Sequence, residues 1–285
     1  MSCSWSRMRR PQRKRKSSRE YRAAPKPLIR AVIFDLDDTL YDCFGQRVRV
    51  SHRHAAEAMV RAGLKATVET VYRARMRAFR QDPMLRYIDS EVCRRFHADD
   101  PDAVSHAARE AYFNCPVGKL TLFSGTLPLL RHLWRRGVRC YAVSFGEPEI
   151  QRAKVRALGL ENNPLLERVL CADRDKLLTK EAAFRQIQHE VGLPAEEMLV
   201  VGDRAMSEIR AGNELGMHTV RIRRGEFAAQ EPQGSAEEPD YVVSDIGKVK
   251  ELPFTWGDDK KAHRGGAETR RRAGAQPRIH AKKRE

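Results

Sequence analysis

The run Ala31-Val32-Ile33-Phe34-Asp35-Leu36-Asp37-Asp38-Thr39-Leu40 constrains this chain most, because it sets three carboxylates and a hydroxyl directly beyond an uncharged apolar stretch. A short apolar run with no internal charge predicts a strand covered on both faces. The ligand crevice of an open α/β sheet lies outside the carboxyl ends of such strands. Asp35 is therefore expected at that mouth. Asp35 and Asp37, two residues apart, can face one small volume, while Asp38 points elsewhere. Two like charges that close require a cation or a shared proton. The alternative is a solvated acidic loop; against it, nothing structural requires three acids after four buried apolar residues.

The order of elements predicts an α/β core interrupted by helices. From Asp42 to about residue 120 the chain shows helical periodicity: Ala55, Met59 and Ala62 on one stripe, then Val68, Val71, Tyr72, Met76 and Phe79 on another. A third helix is expected over Tyr87–Phe96 and a fourth from about Asp102 to Phe113, with Pro101 suited to its first turn. Alternation then resumes. Helices over Leu127–Trp134, Glu147–Leu158 and Lys180–Val191 are separated by strands at Val138–Val143, Arg168–Cys171 and Met198–Val201. Another helix, then strands at His218–Ile222 and Tyr241–Val243, complete the plan. Such repeats imply a mostly parallel sheet.

Strand ends supply further candidates. Ser144 follows the 138–143 strand, and its hydroxyl and the following amide can cradle an anion with Gly146 easing the turn; the alternative is a helix N-cap. Lys180 starts a helix, where a cation opposes the helix dipole unless bound anion or carboxylates compensate it. Lys176 competes for that role. Asp203 follows Val200-Val201-Gly202 at another strand end, where it can meet Asp35 across the sheet, and Glu208 stands five residues later. A solvated loop acid and a helix-surface acid are the alternatives for these two.

The net charge of +16 does not by itself point to nucleic acid, because it is concentrated at the ends. Residues 1–28 carry +9 and residues 258–285 carry +6, leaving +1 for residues 29–257. Both ends are expected to be disordered tails capable of nonspecific polyanion contact, with no specific nucleic acid as partner. No apolar segment reaches the length of a membrane span, and no apolar stretch suited to a secretory signal follows the basic start. Six scattered cysteines without a Cys-x-x-Cys pair indicate neither zinc nor a redox dithiol, consistent with a cytoplasmic setting.

The pattern Asp35-x-Asp37-x-Thr39, followed in order by Ser144, Lys180 and Gly202-Asp203 with Glu208, resembles the motifs of the haloacid dehalogenase superfamily over roughly residues 29–250. Phe145 replaces that family's common Asn or Asp, and Glu181 its usual Pro. The resemblance implies a Rossmann-like, mostly parallel core from residues 29–41 and 121–250, with an inserted all-helical cap over 42–120 hinging near Asp42 and Leu120. Basic tails at 1–28 and 251–285 flank it. It further implies a phosphomonoesterase in which Asp35 is the nucleophile and Asp37 the general acid and base. Thr39 orders the turn and assists Asp37, while Ser144 and Lys180 hold the phosphoryl group. Magnesium is held by Asp35, the Asp37 carbonyl, Asp203 and Glu208, the last directly or through water. The implied partner is a small organic phosphomonoester, and a monomer or homodimer is expected. The family's carbon–halogen hydrolases, which lack the second acid and need no magnesium, are the enzymatic alternative. An inactive anion- or nucleic-acid-binding module using the tails is the non-enzymatic one.

Overall fold

The computed structural model describes residues 25–81, 88–173 and 179–257. After a two-residue strand β1 (Leu28–Ile29), the chain lays down β2 (Ala31–Asp35), β3 (Arg139–Gly146), β4 (Arg168–Asp173), β5 (Met198–Gly202), β6 (His218–Ile222) and β7 (Tyr241–Val243). These six form one sheet in the order β4-β3-β2-β5-β6-β7, every neighbouring pair parallel. Strand β2 runs level with β3 from Ala31–Arg139 to Asp35–Val143, and with β5 from Ala31–Met198 to Phe34–Val201. The chain builds outward from β2 through β3 and β4, then crosses back to start the other half at β5. That reversal opens a crevice beyond the carboxyl ends of β2 and β5.

Alternation along β2 explains why the sheet is covered twice. Val32 and Phe34 pack with Leu129, Leu130 and Leu133 of α5 (Thr126–Arg135) and Val155 of α6 (Pro148–Ala157). Ala31 and Ile33 pack with Phe184 and Ile187 of α7 (Lys180–Val191) on the opposite face. A strand buried on both sides has no need of polar alternation. Helix α7 starts at a Thr179 cap, whose hydroxyl accepts a hydrogen bond from Ala182 N at 3.1 Å. This places Lys180 in its first turn.

Between β2 and β3 lie α1 (Arg49–Arg61), α2 (Val68–Gln81), α3 (Ile88–Arg95) and α4 (Pro101–Phe113), preceded by a π-helical turn at Phe44–Val48. They enclose a separate apolar cluster that includes Ala55, Met59, Val71, Phe79, Val92, Val104 and Ala108. Asp100 caps α4 by accepting from Ala103 N at 3.0 Å, with Pro101 in the first turn. After β5 the chain makes a π-helical turn at Ala205–Ile209 and a short α8 (Arg210–Glu214).

The folded core passes the boundary expected at residue 250. A turn at Ile246–Glu251 leads to β8 (Thr255–Trp256), which pairs in parallel with β1. Phe254 and Trp256 are buried in the cluster that holds Ile29 and Leu133. The basic composition beyond residue 258 obscured an apolar segment, Leu252 to Trp256, that has core surface to cover. Leu28 likewise belongs to β1 rather than to a tail. Residues 1–24 and 258–285, with most of both expected tails, lie outside the described residues, as do Lys176 and Tyr87. Among the described residues, no helix is long and apolar enough to cross a membrane.

Candidate active site

Asp35 is the last residue of β2, so its carboxyl emerges at the crevice while its backbone stays in the sheet. There it meets the ammonium of Lys180, which also donates to Val143 O at 3.2 Å and lies 2.9 Å from Glu208 Oε1. Lys180 thus stands between two buried carboxyls. Ser207 Oγ donates to the same Glu208 oxygen at 3.0 Å, and Arg204 N donates to the other, Oε2, at 3.2 Å. Gly202 permits this approach, since a Cβ there would stand 2.6 Å from Cβ and Cγ of Glu208.

Asp37 is held differently. Lys154 Nζ, reaching in from α6, lies 2.8 and 3.0 Å from its two carboxylate oxygens, and the Tyr41 hydroxyl donates to Oδ1 at 2.8 Å. Asp38 turns away in a left-handed conformation with φ of 56°. Its carboxylate accepts from Phe44 N at 2.9 Å and Glu226 N at 3.3 Å, tying the entrance of the helical insertion to the turn after β6. Thr39 does not take the role expected of it. It is fully buried, does not line the crevice, and its hydroxyl has no hydrogen-bond partner among the described residues. Tyr41 and Lys154 hold Asp37 instead.

Ser144 lies within β3, and its hydroxyl donates to Gln151 Oε1 at 3.0 Å, while Gln151 Nε2 donates to Phe145 O at 3.1 Å. Asp203 follows β5; buried Arg221 donates to its main-chain oxygen at 3.0 Å, and to Phe227 O and Gln230 O at 2.9 and 2.7 Å. Asp35, Asp37, Ser144, Lys180, Asp203 and Glu208 all line one cavity of about 700 Å³. That volume suits a small organic ligand.

The electrostatics follow from burial. Burial raises the Asp35 carboxyl to about 7, against the pull of Lys180 and with added repulsion from Glu208 and Asp37. Asp203 is pushed well above the usual carboxylate range by burial, then by Glu208 and Asp35. Asp37 moves the other way: burial opposes ionisation, but Lys154 and Tyr41 outweigh it and hold the carboxyl below its ordinary value. Glu208 is lowered as well, burial being overcome chiefly by Lys180. Glu226, from the turn at Gly225–Phe227, also faces the cavity and is raised to about 7 by burial, partly countered by Arg204.

The donor set suits a hard divalent cation. Asp35 and Asp203 are buried oxygen donors that repel each other, and a cation between them removes that cost. Among the described residues no three acidic, histidine or cysteine side chains form a ready cage. Magnesium does not need one, since it binds through one or two carboxylates and keeps waters or phosphate oxygens for its remaining positions.

Sequence reasoning missed Lys154, Gln151 and Glu226. Gln151 and Lys154 recur at helical spacing with Val155 on the inward face of α6, continued by buried Leu158 just past its end, and polar residues within an apolar stripe were the available signal. The described arginines of the helical segment do not line this cavity. Buried Arg47 donates to Cys115 O at 3.2 Å, Arg53 to Glu69 at 3.0 Å, and Arg49 to the Tyr72 hydroxyl at 3.3 Å. Arg80 does not line the cavity, and Arg86 lies outside the described residues.

A model of the haloacid dehalogenase-like hydrolases matches residues 29–216. The chain is 31% identical over 220 residues to a glyceraldehyde 3-phosphate phosphatase of Methanopyrus kandleri, covering 76% of this chain and 93% of that protein. It is 28% identical over 249 residues to the Pyrococcus furiosus protein of the same name, covering 84% and 99%. Among solved structures, YfnB of Bacillus subtilis, described as a HAD-hydrolase bound to magnesium, superposes with a TM-score of 0.54 at 18% identity, covering 79% of this chain and 98% of that one.

Proposed function

The chain belongs to the haloacid dehalogenase-like hydrolases, and on that premise we propose that it hydrolyses small organic phosphomonoesters through Asp35. The observation carrying this reading is the convergence of Asp35, Asp37, Ser144 and Lys180 on one cavity at the point where strand order reverses. The names of the relatives make glyceraldehyde 3-phosphate the first substrate to test.

In the first half-reaction a carboxylate oxygen of Asp35 attacks phosphorus opposite the ester oxygen. The P–O bond to the alcohol breaks, and Asp37 delivers a proton to the departing oxygen. In the second, Asp37 takes a proton from water, which attacks the phosphorus of the aspartyl phosphate and releases Asp35. The Lys180 ammonium faces the transferring oxygens and stabilises the charge that builds up, and the Ser144 hydroxyl joins it by turning from Gln151 Oε1 to a phosphoryl oxygen. Magnesium, which supplies charge neutralisation at the phosphoryl group, would be held by Asp35, the main-chain carbonyl of Asp37 and Asp203. Glu208 acts on the same group by fixing Lys180.

The helical segment between β2 and β3 is the cap of this reading, closing over Asp35 by motion near Asp42 and Leu120. The enzyme is proposed to act in the cytoplasm as a monomer or homodimer. Phosphate release from glyceraldehyde 3-phosphate and p-nitrophenyl phosphate, with and without magnesium, tests the assignment. Asp35→Asn should lower turnover by at least about a thousandfold. Equal turnover by both proteins, or metal-independent chloride release from a 2-haloacid without phosphate release, overturns it.

A further inference from the structure

We propose that Glu226 selects the leaving group, admitting phosphomonoesters whose alcohol portion is uncharged and hydroxylated and rejecting those that carry a carboxylate or a second phosphate. This rests on the phosphatase reading and narrows its substrate class.

The first support is position. The Gly225–Phe227 turn follows β6 and packs against the Phe44–Val48 turn that opens the helical segment. Glu226 therefore sits at the seam where the part of a substrate beyond its phosphoryl group must lie. Its backbone is pinned: Glu226 N donates to Asp38 Oδ2 at 3.3 Å, and Gly225 has φ of 73° with no room for a Cβ, which would stand 2.3 Å from Asp38 Cγ. The side chain is 13% exposed and lines the cavity. Its nearest cation, Arg204, is 4.0 Å away and stacks on the Phe227 ring at 3.8 Å. The Glu226 carboxyl thus retains acceptor capacity facing the cavity, as a hydroxyl of a bound alcohol requires.

The second support is charge. Among the described residues, eight acidic and four basic side chains line the cavity. Each cation already has an acidic partner: Lys180 has Asp35 and Glu208, Lys154 has Asp37, Arg210 has Glu237, and Arg204 has Glu226. A phosphoryl group can draw on Lys180 and a divalent cation. A second anion on the leaving group finds no unpaired cation among the described lining residues and meets Glu226, with Asp38 behind it. At a pH above about 7, where the buried Glu226 carboxyl is ionised, like charges brought together in a partly dry site are strongly unfavourable. This ligand chemistry differs from that of a site for phosphorylated acids, which needs a free cation at this position.

Glyceraldehyde 3-phosphate and 3-phosphoglycerate share a carbon skeleton and differ in an aldehyde against a carboxylate, so their kcat/KM ratio reads the selection directly. Wild type should favour the aldehyde by about a hundredfold or more. Glu226→Gln, which keeps the backbone bond to Asp38, should reduce that ratio by at least about tenfold, mainly through a lower KM for the carboxylate substrate. In wild type alone, 3-phosphoglycerate should inhibit hydrolysis of p-nitrophenyl phosphate no better than inorganic phosphate does. A wild-type ratio near one, an unchanged ratio in the variant, or strong inhibition by 3-phosphoglycerate overturns the inference while p-nitrophenyl phosphate turnover keeps the phosphatase reading intact. Absence of turnover on all three esters overturns both.

Discussion

The ammonium of Lys154 grips both carboxylate oxygens of Asp37, at 2.8 and 3.0 Å, across 117 residues of sequence. It is the main reason the carboxyl of Asp37 is held below its ordinary value while that of Asp35, two residues away, is raised. The shifts run opposite to the two roles: attack needs Asp35 ionised, which a divalent cation beside it would favour, and Asp37 must take up a proton before it can donate one.

Lys154→Met should therefore lower kcat by about tenfold or more with a smaller change in KM, because Asp37 loses its orientation but the phosphoryl contacts remain. Stability should fall by about 1–3 kcal/mol, below the full cost of a broken buried pair because Asp37 is 30% exposed. Steady-state kinetics and urea unfolding check both, and Lys154→Arg should recover part of kcat. Unchanged kcat in the Met variant removes Lys154 from the mechanism.

Asp203→Asn separates metal binding from folding. Burial, Glu208 and Asp35 all penalise the charged Asp203 carboxylate, so without divalent ions the variant should melt no lower than wild type. Millimolar magnesium should raise the wild-type melting temperature, as a ligand specific for the folded state does, and leave the variant unmoved. Equal magnesium shifts in scanning fluorimetry would remove Asp203 from the metal site.

A side chain at position 202 should be harmful, because Glu208 occupies the space it would need. The Cβ of Gly202→Ala would stand 2.6 Å from Glu208 Cβ and Cγ, forcing Glu208 off Lys180. A loss of about 1–3 kcal/mol is expected, together with reduced turnover. Retention of full activity by a stable variant would show that the Glu208–Lys180 contact is dispensable.

Acid should loosen the helical segment through His52. Its ring lies between Phe79 and Tyr112, at centroid distances of 4.9 and 5.0 Å, with both nitrogens unpartnered among the described residues. Burial, then Arg75, lowers its pKa from 6.5 to about 3. The folded state therefore binds fewer protons than the unfolded state between those values. Stability is complete above about pH 6.5 and declines as pH falls towards about 3, by up to ~1.4 kcal/mol per pH unit. His52→Leu should flatten the dependence of the urea midpoint between pH 7.5 and 5.5. The same slope in both proteins would rule His52 out as its source.

The sequence by itself determined the alternation of strands and helices and the placement of Asp35 and Asp203 at strand ends, because periodicity and strand termination are local properties of the chain. Helix α7 occupies the span expected for it, since Thr179 and Gly192 punctuate it on either side. Only the tertiary structure decided which side chains serve which acid. Lys154 and Asp37, and Glu226 and Asp38, meet because α6 and the turn after β6 converge on the end of β2, and no spacing encodes such an encounter. Thr39 shows the converse: its place in a motif suggested a contact with Asp37, but the turn buries it, and the Tyr41 hydroxyl takes that position. Trp256 belongs to the core for the same reason. Its short apolar segment finds a partner only once Leu28 and Ile29 have been brought beside it by the folded sheet.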